Sequence, residues 1–128
     1  MGKTKPIILH KGGSEEGWDN AFRGHVQWRT LFSSERTPSE ALTAGVAEIL
    51  PGNELKAHHH AEPELYYIIE GEGVVTIDGL EHPVQEETTV FIPGGAIHRI
   101  KNNSRFPLRL LYVFAVDSFN EVEYVFSG

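Results

Sequence analysis

Hydrophobic and polar positions along this chain fall into short runs separated by turn-forming residues. "VQWRTLF" (26–32), "LTAGVAEIL" (42–50), "ELYYIIE" (64–70), "GVVTIDG" (73–79), "TVFIP" (89–93) and "PLRLLYVFAV" (107–116) are rich in β-branched and aromatic residues. That composition predicts strands. Between them stand Pro51-Gly52-Asn53, Glu70-Gly71-Glu72-Gly73, Asp78-Gly79, Pro93-Gly94-Gly95 and Asn102-Asn103-Ser104, all turn signals. Asp78-Gly79 predicts a two-residue hairpin, and the alternating "EVEYVF" (121–126) predicts one more strand. The first 25 residues differ. They are polar, with "PIIL" (6–9) as a possible edge strand and Trp18 and Phe22 spaced for one short helical turn. Gly12, Gly13, Gly17 and Gly24 weaken any longer helix there. Many short strands with glycine-rich turns predict an all-β sandwich or barrel. There is no internal repeat. The expected organisation is an N-terminal arm over 1–25 and a single β domain over 26–128.

Composition narrows the function classes. The 128 residues suit one domain with a real core. With 18 acidic and 11 basic residues the net charge is −7, and no Lys/Arg block occurs. Nucleic acid and anionic membranes are therefore not expected partners. No apolar run approaches membrane-spanning length. "MGKTKPIILH" is too short in apolar residues for a signal-peptide core. Cysteine is absent, which removes disulfides, thiol chemistry and zinc–thiolate sites and fits a cytoplasmic protein.

The chemistry concentrates in "HHHAEPELYY" (58–67). Side chains alternate along a strand, so in an extended segment His58 and His60 share a face and His59 points away. Pro63 interrupts the ladder and marks a turn at 61–63. Glu64 and Tyr66 share a face of the next strand. Two imidazoles and a carboxylate make a site for a divalent transition metal with open positions. His98 follows the glycine-rich turn at 93–95 as a further ligand that barrel closure can bring in. His10, His25, His59 and His82 read as solvated or hydrogen-bonded side chains.

Gly52 to Gly71 reads G-x5-H-x-H-x3-E-x6-G, and Pro93 to Asn102 reads P-x-G-x2-H-x3-N. In order and spacing these resemble the two signature motifs of the cupin superfamily. The resemblance implies a double-stranded β-helix, or jelly-roll, barrel. It assigns one divalent metal per chain (Fe, Mn, Ni, Zn, Co or Cu) to His58, His60, Glu64 and His98. One departure is Glu87, where the second motif usually opens with glycine; this puts the local turn geometry in question. Asn102 reads as a structural turn or bulge residue.

A narrower likeness rests on Trp28, "AEILPGNEL", Tyr66, Asn102-Asn103 and "DSFNEVEY". Together these resemble the small cupin-type dimethylsulfoniopropionate lyases, which cleave a sulfonium carboxylate to acrylate and a sulfide. That likeness implies a lyase acting on a small carboxylate, the metal serving as Lewis acid. Tyr66 and Tyr124 are its catalytic candidates, with Trp28, Tyr112 and Phe114 as pocket wall. An Fe(II)-dependent dioxygenase and a non-enzymatic metal-containing domain that binds a small molecule are the alternatives. Small single cupins usually pair, so a homodimer is expected, with "KPIIL" (5–9) as the candidate exchanged strand.

Overall fold

The computed structural model describes residues 4–10, 12–34 and 38–127. Residues 1–3 and 11 of the arm lie outside the described residues. The strands are β1 (Glu15–Asn20), β2 (Gly24–Phe32), β3 (Thr43–Ile49), β4 (Glu54–His59), β5 (Glu64–Glu70), β6 (Gly73–Ile77), β7 (Leu80–Val84), β8 (Thr89–Ile92), β9 (His98–Lys101), β10 (Leu108–Phe114) and β11 (Val125–Phe126), with one 3-10 turn at Phe119–Glu121. All pairings are antiparallel and join into one curled sheet in the order β7-β6-β9-β4-β2-β3-β10-β5-β8, with β1 on β2 and β11 on β4. The all-β expectation therefore holds. No helix among the described residues is long and apolar enough to cross a membrane.

Strict alternation builds the core. In β3, Thr43, Gly45, Ala47 and Ile49 are buried; in β10, so are Leu108, Leu110, Tyr112 and Phe114. β10 pairs with both β3 and β5, placing Tyr112 opposite Gly45 on one side and Tyr66 on the other. A Cβ at position 45 would collide with the Tyr112 ring and hydroxyl. Glycine there gives the tyrosine its place inside the barrel.

Four local expectations change. Trp18 lies in β1, paired with Val26 of β2, and Phe22 lies in the following turn. The helical spacing was an accident of two aromatics flanking a hairpin. Residues 4–9, which include "PIIL", form no strand within this chain. "EVEYVF" contributes strand only at 125–126. A capping box at Ser118 and Glu121 winds the segment before it into the 3-10 turn. Glu87 takes a left-handed backbone, φ 71°, as the third residue of a turn in which the Thr88 amide donates to Gln85 O at 3.0 Å. The turn geometry that glycine would supply survives, at a cost of roughly 1–2 kcal/mol for a residue with a Cβ.

Asn102 is fully buried. Its Nδ2 donates to Ile49 O (2.9 Å) and Phe106 O (2.7 Å), and its Oδ1 accepts from the Ser104 amide (2.9 Å). It ties three segments together, as its structural reading anticipated. Asn102→Ala is expected to cost about 2–4 kcal/mol in denaturant unfolding, because it strands a buried carbonyl. Asn102→Asp turns the donor into an acceptor facing two carbonyls and should cost at least as much.

Candidate metal centre

β4 and β9 present the first two histidines. His58 stands directly opposite His98 in the antiparallel ladder. Simple alternation from buried Leu55 would turn position 57 inward and His58 outward. The register instead shifts between Leu55 and His58, where three steps on β4 oppose two on β9. This bulge re-phases the strand so that both Leu55 and His58 are buried; bulges commonly re-aim side chains in this way. His60 follows in the loop, fixed by its own carbonyl accepting from the Gly95 amide at 2.8 Å. A Cβ on Gly94 would strike Ala61 O. The absence of that Cβ lets the loop before His98 close against the loop carrying His60.

The three imidazoles converge. Donor atoms of His58, His60 and His98 lie within 4.8 Å of one another, all buried. Each ring spends Nδ1 on a backbone carbonyl: His58 on Lys56 O (2.7 Å), His60 on Glu62 O (2.8 Å) and His98 on Ala96 O (2.9 Å). If Nδ1–H is the donor in each case, Nε2 carries a free lone pair. Nε2 of His58 and of His98 is buried without a hydrogen-bond partner. Glu64, from the first position of β5, brings Oε1 to 3.1 Å from His60 Nε2 and 3.4 Å from His98 Nε2. Orphaned lone pairs facing one point, with the outer nitrogens locked by carbonyls, fit a divalent transition ion. The histidine cluster is consistent with one such ion, as the sequence motifs imply.

Charge in the pocket follows from burial. Desolvation, with His98 beside it, drives His58 down to about 3, so it stays neutral and able to ligate. For His60, burial also opposes protonation, but the hydrogen bond and charge of Glu64 outweigh it, and its value rises. Burial, and next the Glu64 charge, push the Tyr66 phenol well above 10. The same two causes lead for Tyr124. Burial lifts Tyr112 to about 12.

An aromatic wall encloses the centre. Tyr124 stacks on His58 at 4.9 Å, Phe114 meets His60 edge-on at 5.2 Å, and Tyr66 lies 6.3 Å from His98. Behind them is a small cavity, with about 30 Å³ open to water centres, room for roughly two waters. Among the described residues, Glu64 is the only charged one lining it. The structure thus brings Tyr66, Tyr124, Trp28 and Tyr112 to one cavity and Phe114 to its edge. His59 is outside the histidine cluster, and its Nδ1 is buried without a hydrogen-bond partner, unlike the solvated or hydrogen-bonded side chain expected from the sequence. Trp18 and Phe119 also line the cavity. In β1 Trp18 is the one half-buried residue among exposed neighbours, so no period announced it.

A cupin domain model matches residues 45–114. The chain is 39% identical over 105 residues to the dimethylsulfoniopropionate lyase DddW of Ruegeria pomeroyi, covering 82% of this chain and 68% of that one. It is 32% identical over 92 residues to an oxalate-binding protein of Thermotoga maritima, covering 71% and 76%. Among solved structures, a predicted oxalate decarboxylase from Thermotoga maritima superposes with TM-score 0.74 at 27% identity, over 87% of this chain and 99% of that one.

Metal analysis of protein purified without a histidine tag checks the centre. Wild type is expected to carry one divalent ion per chain. Alanine at His58, His60, Glu64 or His98 should strip it, and His59→Ala should retain it. An ion lost with His59 would refute the assignment of faces.

Proposed function

The chain belongs to the cupin domain family, and on that premise we propose that it is a metal-dependent lyase acting on a small carboxylate with a leaving group on its β-carbon. The observation that carries the reading is the pairing of the histidine centre with two buried tyrosines, Tyr66 and Tyr124, in a cavity that has no lysine or arginine. Similarity to a dimethylsulfoniopropionate lyase supports the reaction class. His58, His60, Glu64 and His98 would hold the ion. When bound, it supplies Lewis acidity toward the substrate carboxylate and positive charge that favours phenolate.

The chain's own groups do the rest. Tyr66 Oη accepts the proton from the carbon next to the carboxylate. The C–H electron pair becomes the carbon–carbon double bond, and the leaving group departs with its bonding pair. Tyr124, stacked on His58, packs the opposite wall and excludes water. Similarity to an oxalate-binding protein supports a second reading, a domain that binds a small carboxylate without turning it over.

Anaerobic assays of the metal-loaded protein against β-substituted carboxylates separate these readings. A lyase forms the unsaturated acid without oxygen; a dioxygenase stops, and a binding domain gives saturation without product. Tyr66→Phe keeps the ring and is expected to retain the ion while turnover falls by about 10²–10⁴-fold, the usual contribution of a general base. Near-full turnover in that variant would remove Tyr66 from the mechanism.

We infer a homodimer as well. Leu65 and Phe91 are cross-strand partners and both exposed, and β8 ends the strand order, an edge open to pairing. Light scattering is expected to give twice the chain mass, and Phe91→Lys to shift it toward one.

A further inference from the structure

We propose that the indole N–H of Trp28 is the donor that anchors the anionic end of the ligand inside the barrel, an inference that rests on the carboxylate reading above. β2 turns Val26, Trp28 and Thr30 toward the interior. Opposite Trp28 stands Ala47, a small residue that leaves space for an indole. The ring is held edge-on by Trp18 at 4.8 Å and by Phe119 at 6.1 Å. Its Nε1 is buried and has no hydrogen-bond partner.

A buried tryptophan N–H ordinarily finds an acceptor, and leaving one unmet is costly. Trp28 lines the same cavity as Glu64, Tyr66, Tyr112 and Tyr124, and none of their oxygens accepts its proton. The Tyr112 hydroxyl lies instead 3.5 Å from Thr30 Oγ1. An indole nitrogen only donates, so its partner must be an acceptor. Without a lysine or arginine on the cavity wall, a carboxylate oxygen of the ligand suits it. The aromatic packing fixes the donor beforehand, so little ordering is needed when the ligand arrives. Trp28 is thus assigned a ligand contact in addition to its place in the wall.

The chain has two tryptophans, so ¹⁵N-tryptophan protein gives two indole N–H signals, and Trp28→Phe identifies which is which. Zinc-loaded protein is titrated with acrylate and with propionate, and binding is followed in parallel by calorimetry. The Trp28 signal is expected to move downfield with slowed proton exchange, while the Trp18 signal moves little. Trp28→Phe, with unchanged zinc content, should bind both acids about ten- to a hundredfold more weakly, the worth of a hydrogen bond to a charged acceptor. Binding with a stationary Trp28 signal, or with undiminished affinity in the variant, overturns the anchor and leaves the carboxylate reading standing. No binding of either acid to zinc-loaded wild type overturns the carboxylate reading and the anchor with it. If the variant fails to fold, Trp18→Phe assigns the two signals and the wild-type titration decides.

Discussion

Three imidazoles buried side by side are the constraint around which this barrel is arranged. Imidazole nitrogens taken out of water need partners, and the chain supplies hydrogen bonds to four of the six. Backbone carbonyls of Lys56, Glu62 and Ala96 hold the outer nitrogens. Two of the inner nitrogens, those of His58 and His98, have none. Each unmet group costs about 1–3 kcal/mol. A divalent ion that satisfies them couples its own binding to the stability of the fold. The β4 bulge, the close approach of Gly94 to Ala61 and the placement of Glu64 at the start of β5 all serve that convergence.

The aromatic shell sets the electrical character of the interior. Among the described residues no lysine or arginine lines the cavity it encloses, while Arg23 lies outside, over the Trp18 ring. The carboxylate lining that cavity, Glu64, acts on its neighbours with little screening. Its effect is visible on both kinds of group, raising His60 and adding to the lift that burial gives Tyr66 and Tyr124. Burial and Glu64 hold those phenols in the protonated form, and a positive charge at the histidines would oppose that lift.

Much of this was legible in the sequence, for different reasons at different places. The strands β3, β5 and β10 were visible because each is a short run rich in β-branched and aromatic residues between turn signals. The ligands were legible through motif spacing. Alternation alone paired His58 with His60 but could not say which face was interior, because the bulge after Leu55 reverses the phase. Trp18 was misread since a strand with one half-buried residue has no period to detect. The 3-10 turn in 119–121 was missed because its capping residue Glu121 also opens the alternating run 121–126, which was read as strand. Glu87 shows that tertiary pairing, here its amide donating to Ile68 O at 2.9 Å, can impose a left-handed turn on an unsuited residue.

The extra residue in β4 also bears on how the chain threads itself. A strand slipped by one position would straighten the ladder and turn Ala57 and His59 inward in place of His58 and His60. The consecutive histidines at 58–60 disguise that error, because a slipped strand still shows an imidazole to the interior. It cannot show two, since Ala57 then occupies the place opposite His98. A site with paired imidazoles therefore exists only in the bulged threading. An ion bound by both imidazoles would favour the bulged threading over the straight one.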